Sequence, residues 1–171
     1  MPADPFHAPA PTLPKPEVYA DLASQLKGLM AGESDLIANT ANMAAVIYHG
    51  LPDLNWAGFY LMKDGELVLG PFQGKPACIR IPIGKGVCGT AAETRASQVV
   101  ADVHDFPGHI ACDAASRSEL VVPLLTGDRA LGVLDLDSPL PGRFDQQDRE
   151  GCEMLVGILL DHIKADHIKA D

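Results

Sequence analysis

The stretch GHIACDAASRSEL, residues 108–120, sets Cys112 in a polar segment with His104 and His109 before it and Arg117 and Glu119 behind it. Cysteine is usually a small buried hydrophobe. One among charges reads as a thiolate nucleophile, which needs cations or N–H donors to ionise near neutrality. The bland alternative is a loop cysteine without consequence. Cys88 lies between glycines in GVCGT, near a predicted helix start, where free amides and the dipole would lower its pKa. Cys78 stands on an alternating strand, where burial would be unremarkable. Cys152 falls on an apolar helical stripe and reads as core.

Carboxylates form a second group. In GVLDLD, alternation puts Asp135 and Asp137 on one strand face with Val133, and Leu134 and Leu136 on the other. The leucine face belongs to a core, so two aspartates stand side by side opposite it. Like charges at that spacing cost energy unless a cation or proton lies between them. In WAGFY, Trp56, Gly58 and Tyr60 share a face, giving a notch with aromatic walls. Glu119 heads a neighbouring strand seven residues after Cys112. Carboxylates suit a ligand ammonium, and aromatic walls suit a small apolar or sulfur-containing group. A solvated sheet face is the alternative.

Metal and phosphate chemistry fit less well. Cys78, Cys88 and Cys112 with His104 or His109 could supply four zinc ligands, yet no C-x-x-C pair occurs, so no metal is expected. PIGKGVCG lacks the spacing of a phosphate loop.

These residues need elements to hold them. Six prolines in the first sixteen residues imply an arm without fixed structure over residues 1–16. A helix is predicted from Glu17 to about Met30, and a second one with Ser34 as N-cap and Ile37, Ala41, Ala44, Ile47, Tyr48 and Leu51 at helical spacing. Asp64-Gly65 signals a hairpin, ACIRIPI a third strand, GKGVCGTAAETR a short helix and SQVV a brief strand. Residues 102–118 are polar and unpatterned. ELVVPLL and ALGVLDLD form a second hairpin around Gly127-Asp128. A last helix runs from about Asp145 to Ile163, with Cys152, Leu155, Val156, Leu159 and Ile163 inward. Helices, an antiparallel sheet and a closing helix make an α+β domain over residues 17–165. The tail DHIKADHIKAD repeats five residues; that step turns about 140° around a helix, so Ile163 and Ile168 share no face. Residues 166–171 read as a frayed or duplicated end.

Bulk composition limits the function. A chain of 171 residues with 47% hydrophobic and 21% charged residues is sized for one globular domain. A formal charge of −10 disfavours nucleic acid and anionic membranes. No run approaches a membrane span, and the amino terminus has no signal-peptide pattern, so the expectation is cytoplasmic, with thiols reduced.

The blocks GVCGTAAET, VADVHDFPGHIACDAASRSELVVPL and GVLDLDSP, with NWAGFYL upstream, closely resemble the free methionine-R-sulfoxide reductases over residues 17–163. That resemblance implies a GAF fold, a central antiparallel sheet with the terminal helices on one face and a ligand pocket on the other. It implies Cys112 as nucleophile, Cys78 as resolving cysteine and Cys88 as a further redox partner. It implies Trp56 and Tyr60 as aromatic pocket residues, and Glu119, Asp135 and Asp137 as acidic ligand-binding residues. Of these, Glu119 or Asp137 would hold the proton that sulfoxide reduction consumes, and Asp135 would meet the substrate ammonium. The implied partners are free methionine sulfoxide and thioredoxin, with no cofactor; a homodimer is left open. A non-catalytic GAF sensor module and a cysteine peroxidase are the rival readings.

Overall fold

Pro14 and Pro16 suit the first turn of a helix, whose N–H groups lack intrahelical partners. In the computed structural model, which describes residues 4–110 and 112–163, helix α1 spans Lys15–Met30 and buries Tyr19, Leu22, Ala23, Leu26 and Met30. Residues of the proline-rich segment lie against it. Phe6 packs on the core, and the Gln25 side chain accepts from the His7 N–H (3.1 Å) and donates to the His7 carbonyl (2.9 Å). The segment thus adds hydrogen bonds to α1 to its own internal ones, such as Leu13 N–H to the Ala10 carbonyl at 3.1 Å.

Helix α2 spans Leu36–Gly50, and its cap is Asp35 rather than the expected Ser34. The Asp35 carboxylate accepts from the Ala38 N–H at 2.8 Å, while the Glu33 carboxylate takes the N–H groups of Ser34 and Asp35. Its buried stripe is also rotated from expectation. Thr40, Met43, Ala44 and Ile47 face inward, whereas Ile37 is 53% exposed and Ala41 faces solvent. Thr40 tolerates burial because its hydroxyl donates to the Leu36 carbonyl at 2.7 Å.

The strands are β1 (Trp56–Lys63), β2 (Glu66–Gly74), β3 (Arg80–Pro82), β4 (Gln98–Val100), β5 (Ser118–Thr126) and β6 (Arg129–Ser138). They form one sheet in the order β3-β2-β1-β6-β5-β4, every neighbouring pair antiparallel. Asp64 and Gly65 both adopt positive φ (51° and 80°), the two-residue turn whose twist matches its strands. β3 is shorter than the strand expected over ACIRIPI. Pro82 has no N–H for the ladder, and the Cys78 carbonyl is taken by the Tyr60 hydroxyl. Helix α3 (Gly86–Thr94) follows β3, and a 3-10 turn at Val103–Asp105 lies within the segment read as unpatterned.

The last helix, α4 (Gln146–His162), starts at a capping box between Asp145 and Asp148. Gly151 lets it close on α1, since a Cβ there would stand 2.3 Å from the Tyr19 ring. The tail residues 164–171 lie outside the described residues.

Alternation divides the sheet. Ala57, Phe59, Leu61, Leu120, Val122, Leu124, Leu134 and Leu136 join α1, α2 and α4 in the larger core. Trp56, Tyr60, Val121 and Val133 face α3 on the other side with Val87, Cys88 and Ala91. The architecture is α+β, with the terminal helices on one face and a cavity on the other. Among the described residues no helix is long and apolar enough to cross a membrane.

Candidate active site

The strand register brings the acidic residues together. Glu119 on β5 stands directly opposite Asp137 on β6, and Asp137 opposite Trp56 on β1. Asp135 falls between Val121 and Gly58. Glu119 and Asp135 are each 5% exposed, and all three carboxylates line one cavity with Trp56, Tyr60, Cys88, His109 and Cys112. Burial pushes Glu119 and Asp137 well above the usual carboxylate range, and the neighbouring Asp135 charge raises them further. Asp135 is raised by burial too, opposed by hydrogen bonds from Glu119 and Cys88. Glu119 therefore holds a proton toward Asp135, and Asp135 Oδ1 is buried without a hydrogen-bond partner.

The notch expected at Gly58 is filled by neighbouring rings. A Cβ there would meet Phe72 at 2.3 Å and the Trp56 ring at 2.8 Å. Trp56 is stacked between Tyr60 (centroids 5.9 Å apart) and Phe72 (5.3 Å). The polar ends of the two aromatics fasten the loop before β3. Trp56 Nε1 donates to the Lys75 carbonyl (3.1 Å) and the Tyr60 hydroxyl to the Cys78 carbonyl (2.9 Å). That loop carries Cys78, which is joined to Cys112 by a disulfide. On the other side, Asn55 Nδ2 donates to Asp113 (3.2 Å) and Ser116 (3.1 Å), anchoring the Cys112 loop to the start of β1.

The cations expected around Cys112 are engaged elsewhere. Arg117 and His104 both bind Asp102 (3.0 and 2.9 Å), holding its carboxyl well below the usual range. His109 is lowered by burial and then by His104, so its imidazole is neutral near pH 7. Lys85 is the lysine that lines the cavity. Cys88 also departs from expectation. It sits in the first turn of α3, but burial and the adjacent carboxylates push its thiol well above the ordinary range. Desolvation and three negative charges outweigh the helix terminus. Its Sγ lies 3.9 Å from Glu119 Oε1. With Cys78 and Cys112 joined, the zinc set weighed from sequence is not assembled. Cys152 is fully buried on the opposite face, 3.8 Å from the Tyr19 hydroxyl, its thiol pushed up to about 12 by burial.

A GAF domain model matches residues 39–162. The chain is 55% identical over 145 residues to the free methionine-R-sulfoxide reductase of Escherichia coli, covering 85% of this chain and 88% of that one. It belongs to the free methionine-R-sulfoxide reductase family of GAF domain proteins. A second relative, the free methionine-R-sulfoxide reductase of Saccharomyces cerevisiae, is 44% identical over 155 residues, 86% of each chain. The structure of the Neisseria meningitidis free methionine-R-sulfoxide reductase in complex with its substrate superposes with a TM-score of 0.87. That likeness carries 43% identity and covers 92% of this chain and 93% of that one.

Within this member of the reductase family, sequence reasoning missed Phe72, Asn55, Asp113 and Ser116. Phe72 faces the cavity side through an irregular register between β1 and β2 at Gly58/Tyr60, which no local pattern announces. Asn55 directly precedes Trp56, and a polar residue at a strand start facing a loop was the only available signal.

Proposed function

We propose that this chain reduces free methionine (R)-sulfoxide to methionine, using Cys112 as nucleophile. The observation that carries the reading is the pairing of Cys112 with Cys78 at the rim of a buried acidic cavity walled by stacked aromatics. The activity named for relatives 44–55% identical over most of the chain supports it.

In the proposed cycle the Cys112 thiolate attacks the sulfoxide sulfur, and Glu119 or Asp137 gives its proton to the oxygen. A carboxylic acid kept neutral by burial and by a neighbouring carboxylate suits that donation. The S–O bond breaks as oxygen passes to Cys112, leaving a sulfenic acid and free methionine. The Cys78 thiol then attacks that sulfur, its proton leaves with the hydroxyl as water, and the disulfide forms. An external dithiol, thioredoxin in this reading, reduces it by exchange. The balance is sulfoxide plus dithiol giving thioether, disulfide and water. Asp135, with its unpartnered Oδ1, receives the substrate ammonium, and Cys88 is the reserve thiol.

The test is methionine release from free R and S sulfoxides and from a peptide-bound sulfoxide, with a dithiol donor, for wild type and Cys112→Ser. Release from the free R epimer alone, abolished in Cys112→Ser, supports the proposal. A sensor module would bind methionine sulfoxide and consume no thiol, and a peroxidase would consume peroxide but not sulfoxide; either result rejects it.

A further inference from the structure

The floor of the cavity contains more donor chemistry than an ammonium group needs. Cys88 Sγ, a Glu119 oxygen and an Asp135 oxygen lie within 4.8 Å of one another, all three residues buried. A tetrahedral zinc spaces its ligand atoms roughly 3.3–3.8 Å apart, so these three reach that spacing by small rotations. A further observation points to a guest. Asp135 Oδ1 has no hydrogen-bond partner although its residue is 95% buried, as its 5% exposure records.

We infer that Cys88, Glu119 and Asp135 form a three-residue binding site for a borderline divalent cation of the zinc type, with the fourth position open to water. The donor set selects it. A hydrated magnesium or calcium ion prefers oxygens alone, whereas a thiolate with carboxylates suits zinc or cobalt. Binding exchanges the protons of Cys88 and Glu119 for the metal, and the protons pass to the buffer. The cavity of about 40 Å³ accommodates an ion and a water. A metal seated there would compete with the substrate ammonium for Asp135, so either one would displace the other. The inference rests on this geometry and not on the reaction proposed above.

Cobalt(II) titration of the protein oxidised to its Cys78–Cys112 disulfide tests it, because only Cys88 and Cys152 then remain as thiols. The expected result is a near-ultraviolet thiolate-to-cobalt charge-transfer band that saturates at one ion and is displaced by zinc. The band should vanish in Cys88→Ser, which keeps the side-chain volume, and persist in Cys152→Ala. Glu119→Gln and Asp135→Asn should each weaken cobalt binding at least ~10-fold, the loss of one charged ligand from a small set. A wild-type protein without the band, or a band that survives Cys88→Ser, overturns the inference. The band reads no turnover, so its absence leaves the reductase reading untouched.

Discussion

Cys78 is bonded to Cys112 at the cavity that Cys112 lines, one on a loop pinned by Trp56 and Tyr60, the other on a loop pinned by Asn55. If Cys112 carries the chemistry and Cys78 the resolution, their variants separate in time. Cys78→Ser should release about one methionine per enzyme and then stall, because the sulfenic acid has lost the neighbouring thiol that converts it to the disulfide an external dithiol exchanges with. Undiminished steady-state turnover in a stopped-flow and recycling assay would transfer the resolving role to Cys88. Asp135 Oδ1 is a buried acceptor without a donor, which a substrate ammonium would supply. Asp135→Asn should raise KM for the free sulfoxide by about tenfold or more, the scale of one charged hydrogen bond, with a smaller change in kcat. An unchanged KM would place the ammonium elsewhere.

At the scale of elements, β6 serves both faces of the sheet. Leu134 and Leu136 hold the main core while Asp135 and Asp137 build the cavity. This much was legible in the sequence, since alternation and two tight turns determine which face each residue takes. The buried face of α2 was not, because Ile37 is as apolar as Met43 and only the sheet beneath chooses between them. The fate of Arg117 and His104 was equally hidden. Their shared partner Asp102 belongs to a turn whose shape comes from non-local bonds such as Val103 N–H to the Arg117 carbonyl, 2.7 Å. Helix pairing yields its own prediction. Gly151→Ala would drive a methyl into the Tyr19 ring and lower stability by ~1–3 kcal/mol, the cost of overpacking. Chemical denaturation measures this, and a loss near zero would show that α1 and α4 separate freely.

Across the whole molecule the acidic cluster makes stability depend on pH. Glu119, Asp135 and Asp137 have folded-state pKa values above their unfolded ones. Their contribution is fully present below about pH 4, the unfolded carboxylate range, and is lost as pH rises through the folded values. Asp102 and Asp145 are lowered and act oppositely, but only as pH falls toward the acid range. His109, also lowered, opposes the trend below about pH 6.5. From neutral pH down to the unfolded carboxylate range the three acids outnumber the opposing His109, and the ligand-free protein should gain stability on acidification. Glu119→Gln should flatten that slope in denaturation curves; an equal or steeper slope would show that the cluster is ionised in the folded state.

The Cys78–Cys112 bond spans 34 residues, and it ties the loop before β3 to the loop before β5. Closing a loop of that length removes unfolded-chain entropy worth ~3–4 kcal/mol by the chain-entropy model. For a domain of this size that corresponds to a melting temperature about 5–15 °C higher in the oxidised form. Oxidised and reduced molecules thus carry different thermal signatures, and a melt of the purified, partly oxidised protein would display the fraction of each as two resolved transitions. Coincident transitions for fully oxidised and fully reduced protein would deny it that use. With the separation present, the chain is a heat-readable gauge of its own redox state, and no dye, label or assay of product is required.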